Sequence, residues 1–247
     1  MNDVFLELKE KFNVIKQKGF VKGVSNNFSG VGKTLEYLLG IESNYKPVSD
    51  YKGIEIKTKC FNSKYDITLF SIMPSSENIK LLPEHLVKIY GYYLNDTTRK
   101  VLYTHCYATK IHYGLGAFGF FIFIDKGSEK IYLLVFDKKM RIVRKDIFWT
   151  FEQIKKILEK KMKYLAYFKT NATYIRGNYY YLYEKMDFYQ LKSFENFLSL
   201  IEHGDIYVGF DIAEHKKYGD EMKLDYHGVR FFISEKKLLK MYNKIYF

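Results

Sequence analysis

Hydrophobic positions along the chain follow two periods, and the changes between them mark out the elements. Val4, Phe5, Leu8, Phe12 and Ile15 recur at helical spacing. They predict a first helix, capped by Asn2 or Asp3 and ending near Gly19. A stretch rich in Gly, Ser and Asn follows, and residues 33–39 predict a second helix stopped by Gly40. Past Pro47 and Ser49 the period shortens to two. Ile54, Ile56 and Thr58 alternate with Glu55, Lys57 and Lys59, which predicts a strand over 53–59. A second strand over 67–72 is expected to pair with it as a hairpin.

Pro83 opens a short helix over 83–90, and β-like runs follow at 101–108, 118–124 and 131–136. A basic amphipathic helix is predicted over 151–163, strands at 164–169 and 179–183, and a helix over 191–201 ended by Gly204. The tail reads strand (206–212), charged loop, strand (229–233) and helix (236–240). Helices and strands intermingle, with no internal repeat and no Pro-rich linker. One α+β domain over 1–247 is therefore expected rather than two tethered ones.

Composition adds a partner to this outline. Lys and Arg number 40 against 28 Asp and Glu, a formal charge of +12 that raises the local concentration of polyanions such as nucleic acid or an anionic membrane. The longest apolar run, 118–124, is too short to span a bilayer, so no membrane crossing is expected. With 24 Tyr, 21 Phe and a single Trp, most aromatics must fill the core, which leaves some to stack on bases. Cys60 and Cys106 form neither a disulfide framework nor a zinc spacing, and the first residues are unlike a secretory signal. A soluble cytoplasmic protein with reduced thiols is the expectation.

Candidate chemistry concentrates in Asp50-Tyr51-Lys52-Gly53-Ile54-Glu55-Ile56-Lys57. Side chains two apart on a strand share a face, so Glu55 and Lys57 point together while Ile54 and Ile56 face the core. Gly53 lets Asp50 bend back toward them. Two carboxylates can hold Mg²⁺, which lowers the pKa of a bound water, and the ammonium of Lys57 can assist that nucleophile at a phosphodiester. Metal ligation falls to Asp50 and Glu55. An amphipathic strand carrying an ion pair has the same spacing, so a basic nucleic-acid-binding module with an inert acidic strand stays open at this point. The segment Gly30-Val31-Gly32-Lys33-Thr34 ends like a nucleotide-binding loop. It has Asn27 where such a loop needs glycine, and no nucleotide cofactor is expected.

The Asp50, Glu55, Lys57 pattern resembles the PD-(D/E)XK nucleases, with Ser49 in place of the nominal proline. Gly30-x-Gly32-Lys33-Thr34-x-Glu36 upstream gives the order found in the MvaI/BcnI restriction endonucleases and the related mismatch-repair nicking enzyme MutH. The likeness continues through Lys161-x-Lys163-Tyr164-Leu165-Ala166, the aromatics at 179–181, Gly204-Asp205-Ile206 and His227-Gly228, and so covers most of the chain. It implies a nuclease core with a mixed central sheet and two lobes flanking a DNA-binding cleft. On this reading about 1–100 is mainly catalytic and about 101–247 mainly recognises DNA. It implies Glu36 as a further acidic residue of the catalytic centre. The activity implied is that of a Mg²⁺-dependent type II restriction endonuclease cutting double-stranded DNA at a short site. Such an enzyme would act as a monomer, with a cognate DNA methyltransferase encoded nearby. A MutH-like nickase is the alternative.

For DNA contact the resemblance points to the C-terminal part, where His215 and His227 fall on matching positions. Asp211 and Phe232 stand where the pattern favours Arg, so a different target is expected. Lys216, Lys217 and Arg230 complete a basic cluster there. Arg230 suits guanine and Asp211 a cytosine amino group. His85, on the short helix, is a further candidate, while His105 and His112 are assigned to structure.

Overall fold

The computed structural model describes residues 1–26, 30–41, 48–77, 83–94, 99–216 and 222–246, with the side chains of 215, 216 and 222–227 excepted. In chain order the elements begin with α1 (Asn2–Gln17), β1 (Val21–Lys22), α2 (Gly30–Leu39), β2 (Ile54–Cys60) and β3 (Ile67–Ser71). Next come β4 (Ser75–Ser76), α3 (Pro83–Tyr90), β5 (Tyr92–Tyr93), β6 (Lys100–Cys106), β7 (Gly119–Asp125) and β8 (Lys130–Phe136). They continue with β9 (Ile142–Thr150), α4 (Phe151–Lys160), β10 (Tyr164–Ile175), β11 (Asn178–Leu191) and α5 (Phe194–Glu202). The last are β12 (Ile206–Lys216), β13 (Met222–Ile233), α6 (Leu238–Met241) and β14 (Tyr242–Ile245). The fold is mixed α+β, as expected.

Contacts divide these elements into two units. The first takes 1–67, 156–192 and 239–247; the second takes 68–155 and 193–238. The lobes read from chain order, about 1–100 and 101–247, are therefore not the grouping the contacts make. Strands β10, β11 and β14, far down the chain, join β2 in the first unit.

In that first unit a five-stranded sheet runs β1-β11-β10-β2, with β14 also on β11. β2 pairs with β10 in parallel, Glu55 opposite Leu165, while β10 and β11 are antiparallel. The hairpin expected between β2 and β3 does not form, because β3 neighbours β13 in another sheet. Two features of the sequence account for this. The six residues between β2 and β3 contain no two-residue hairpin turn. Residues 165–168 of β10, by contrast, form an unbroken buried run of the kind a parallel neighbour suits. Phe5, Leu8, Phe12 and Ile15 of α1 and Leu35 and Leu39 of α2 pack on Ile54, Ile56, Ala166 and Phe168 of this sheet. Neither Asn2 nor Asp3 caps α1; Met1 holds that place without a side-chain bond.

The second unit holds two sheets, β3-β13-β12-β6-β5 and β4-β9-β8-β7. Its core centres on Trp149, whose ring lies 5.6 Å from that of Phe231 and whose indole N–H donates to the Ile72 carbonyl at 3.2 Å. Sequence periodicity gives no sign of β9. Arg144, Lys145 and Asp146 mask its alternation, although Arg144 and Asp146 share a face and pair at 2.7 Å. Around 212–229 the charged stretch read as a loop is partly strand, since β12 and β13 stay paired out to Lys216 and Met222.

Candidate active site

A tight turn assembles the site. Tyr51 and Ile54 exchange backbone hydrogen bonds at 2.9 and 2.8 Å, leaving Lys52 and Gly53 as a two-residue loop with φ of 44° and 94°. Left-handed φ at both positions is the signature of a type I′ turn, which glycine at the second position favours. The reversal lets Asp50 Oδ2 accept from the Ile56 N–H at 2.9 Å. Lys52 and Tyr51 reach back to Glu7 of α1 at 2.6 and 2.8 Å, which holds the turn against that helix. Burial and the Glu7 carboxylate push the Tyr51 phenol up to about 12, so it stays a donor.

Burial distinguishes Glu55 from an ordinary strand carboxylate. Ile54, Glu55 and Ile56 are all buried, and Glu55 is only 1% exposed. Its Oε1 accepts from Lys57 Nζ at 2.7 Å and lies 3.5 Å from Lys161 Nζ, whereas Oε2 is buried with no hydrogen-bond partner. Desolvation raises the Glu55 pKa most, Lys57 opposes it, Asp50 adds to the rise, and Lys161 opposes. Glu36 on α2 is raised as well, first by burial and then by Asp50, against Lys57, Lys33 and Lys161. Three carboxylates and three lysines thus share one electrostatic neighbourhood within a single unit.

Helix α2 holds Glu36 there through well-made anchors. The Thr34 hydroxyl donates to the Gly30 carbonyl at 2.7 Å and accepts from the Val24 N–H at 3.1 Å. Tyr183 donates to the Val31 carbonyl at 2.6 Å. The structure therefore brings together Asp50, Glu55, Lys57 and Glu36, and adds Lys161, which sequence reasoning used only as part of a resemblance. Nothing local singles it out. Its position becomes meaningful once β10 is known to lie parallel to β2, which puts the start of β10 beside the start of β2.

Among the described residues no three His, Cys, Asp or Glu side chains close around a point to cage a metal. What remains suits a hard cation that keeps several waters: carboxylate oxygens from Asp50 and Glu55, one of them buried and unsatisfied. A divalent ion there would also offset the burial and the Asp50 repulsion that raise both glutamates.

The proposed DNA-contacting residues lie in the second unit. Asp211 on β12 and Arg230 on β13 form an ion pair with each other, and the guanidinium sits 5.2 Å from the centre of the Phe232 ring. They line a cavity of about 370 Å³ with Tyr103, His105, His112 and Phe232. The two histidines assigned to structure thus border it, and burial together with Lys110 lowers the pKa of His112. Gly209 leaves room for the Phe232 ring, since a Cβ there would lie 2.6 Å from it. His85 is half-buried on α3 and does not line this cavity. His215 and Lys216 continue β12 and His227 continues β13, but their side chains lie outside the described residues, as does all of Lys217.

Comparison with known proteins gives concordant findings. A sequence model of the MvaI/BcnI restriction endonuclease family matches residues 9–242. The fold is similar to that of restriction endonuclease MvaI in complex with its cognate DNA substrate. The TM-score is 0.89 at 26% identity, over 99% of this chain and 98% of that one. Restriction endonuclease MvaI in the absence of DNA gives a TM-score of 0.62 at the same identity and coverage. A search of curated proteins found no match.

Proposed function

Since the chain belongs to the MvaI/BcnI restriction endonuclease family, we infer that it is a type II restriction endonuclease, hydrolysing phosphodiester bonds of double-stranded DNA at a short specific site. The observation that carries this reading is Glu55, a buried carboxylate between two lysines with one oxygen left unsatisfied. Divalent metal is general to this class of enzyme, and Mg²⁺ fits the oxygen-only donors of Asp50 and Glu55. Bound there, it lowers the pKa of a coordinated water and offsets charge on the phosphate oxygens.

The chain's own residues supply the rest. Hydrolysis adds hydroxide to phosphorus and a proton to the leaving oxygen. Lys57, held at 2.7 Å by Glu55, orients the attacking water and neutralises phosphate charge. Lys161 lies 3.5 Å from the same Glu55 oxygen and opposes the rise in pKa that burial causes. Glu36 acts one step back, orienting Lys57, and would bind a water of the metal when one is held. The first unit is the catalytic one. In the second, Asp211 and Arg230 meet base edges, joined by His215, Lys216 and His227 on the same hairpin and by Lys217 and His85. No described helix is long and apolar enough to cross a membrane. A cytoplasmic monomer working beside a cognate methyltransferase completes the proposal.

Plasmid cleavage tests it. Purified protein with Mg²⁺ should yield discrete linear fragments, and EDTA or Lys57→Ala should prevent them. Products stalled at the nicked circle would point instead to a MutH-like nickase. Retained binding without metal-dependent cleavage, on methylated and unmethylated DNA alike, would sink the enzyme reading.

A further inference from the structure

The β10–β11 hairpin outruns its sheet. β10 pairs with β2 only as far as Thr170 opposite Cys60, and the ladder with β11 is irregular between Lys169 and Thr170. Past that point β10 and β11 continue as a two-stranded ribbon to Ile175 opposite Asn178. β1 covers only Tyr180 and Tyr181 of its far edge, with one further bond from the Gly23 N–H to the Tyr179 carbonyl at 2.8 Å. Isolated two-stranded ribbons are marginal in water. Here a ladder of tyrosines supports one: Tyr174 to Tyr179 at 4.8 Å, Tyr179 to Tyr181 at 6.1 Å, and Tyr181 to Tyr183 at 6.5 Å. The ladder ends at Tyr183, which is bonded to α2.

Its tip carries chemistry that no part of the catalytic centre uses. Tyr174 is 61% and Ile175 50% exposed. The turn is Arg176-Gly177 with φ of 47° and 80°, so an arginine occupies a left-handed position that favours Gly or Asn. Arg176 is the single charged side chain between Asn171 and Tyr183, and no ion pair holds it among the described residues. A cation free of acidic neighbours, flanked by apolar and aromatic surface at the end of a stiff ribbon, fits a DNA groove and its phosphates.

We propose that the ribbon tip, Tyr174–Asn178, is a second DNA contact that grips the duplex flank away from the cleaved phosphate. This rests on the endonuclease reading. Leu165 lies opposite Glu55, and Tyr174 is nine residues farther along the same strand. At the rise of a β-strand that is about 30 Å, a reach of about nine base pairs of duplex.

The test compares affinities in EDTA for duplexes centred on the mapped cleavage site, with flanks from about four to about twenty base pairs. Arg176→Gly removes the charge while giving the turn its preferred residue, so it cannot act by straining the fold. Wild type should bind long duplexes about tenfold more tightly than short ones, and with a steeper salt dependence. Arg176→Gly should lose most of that advantage, lower the salt slope by about one, and leave short-duplex binding and the cut position unchanged. Equal affinity and slope for the two proteins on long duplexes would overturn the proposal, as would equal losses on both lengths. Cleavage without flank dependence removes the ribbon contact alone. Failure to bind or cut any duplex removes the endonuclease reading with it.

Discussion

Each unit presents a carboxylate beside a cation on neighbouring strand positions, yet the two pairs differ in kind. Asp211 and Arg230 keep about a third and a quarter of their side chains in water and pair through one guanidinium nitrogen, while Arg230 Nε is buried without a partner. Glu55 is sealed from solvent, over-supplied with lysines on one oxygen and without a partner on the second. Burying a charge costs several kcal/mol unless it is fully paired, so a half-satisfied buried carboxylate does not persist for the sake of stability. On the proposed reading the first pair reads another molecule and the second helps to hold a cation. Substitutions that keep shape and remove charge bring out that difference.

The largest effect should come from Glu55→Gln and Lys57→Ala. Each is expected to lower plasmid cleavage by about a thousandfold or more, because each removes a group that acts on the developing charge. DNA binding measured in EDTA should stay within about threefold. Joint loss of binding and cleavage would assign Glu55 and Lys57 to structure.

A smaller and different effect is expected in the other unit. Asp211→Asn removes the acceptor while leaving Arg230 in place, and discrimination at one base pair of the site should relax by about ten- to a hundredfold. Cleavage of the preferred site should fall less than discrimination does. A uniform loss across all sequences would show that Asp211 supports the hairpin and reads no base.

Lys161→Ala falls between a catalytic and an electrostatic change. Without this second cation Glu55 is harder to ionise, so the acid limb of the cleavage profile should move to higher pH. Rates near pH 8 should drop by about tenfold or less. Raising Mg²⁺ should shift the limb back, since the metal competes with the proton for the same oxygens. An unshifted limb would remove Lys161 from the centre.

These residues were legible in the sequence to different degrees. Asp50, Glu55 and Lys57 were readable because a period-two strand and one glycine turn are local features, and so was α1, whose apolar stripe is regular. Lys161 was not. Its place depends on a parallel pairing between strands more than a hundred residues apart, and no local pattern encodes that. The supposed β2–β3 hairpin failed for the same reason, because proximity in sequence was mistaken for proximity in the sheet. The Asp211–Arg230 pairing needed the register of β12 on β13, which sets Arg230 opposite Gly209 with Asp211 two residues on. Read singly, the two residues looked like independent base readers.

The smallest expected effect separates the two pairs most cleanly, because it differs in sign. Glu55 has its pKa raised in the folded chain, so the metal-free fold holds its proton to a higher pH than the unfolded chain does. Stability from that proton is complete below the unfolded value, near 4.5, and is lost as pH rises through the raised one. Once ionised, the half-satisfied carboxylate therefore destabilises the metal-free protein. Glu55→Gln should raise its melting temperature by about 2–4 °C, on the order of 1 kcal/mol, and flatten the pH dependence. Asp211→Asn should lower it, by about 1 kcal/mol or less given the exposure of that pair, because Arg230 loses its charged acceptor. Thermal unfolding in EDTA at pH 5 and pH 8 reads both at once. If Glu55→Gln melts lower than wild type at pH 8, Glu55 is a stabilising ion pair like Asp211 and the contrast between the two units disappears.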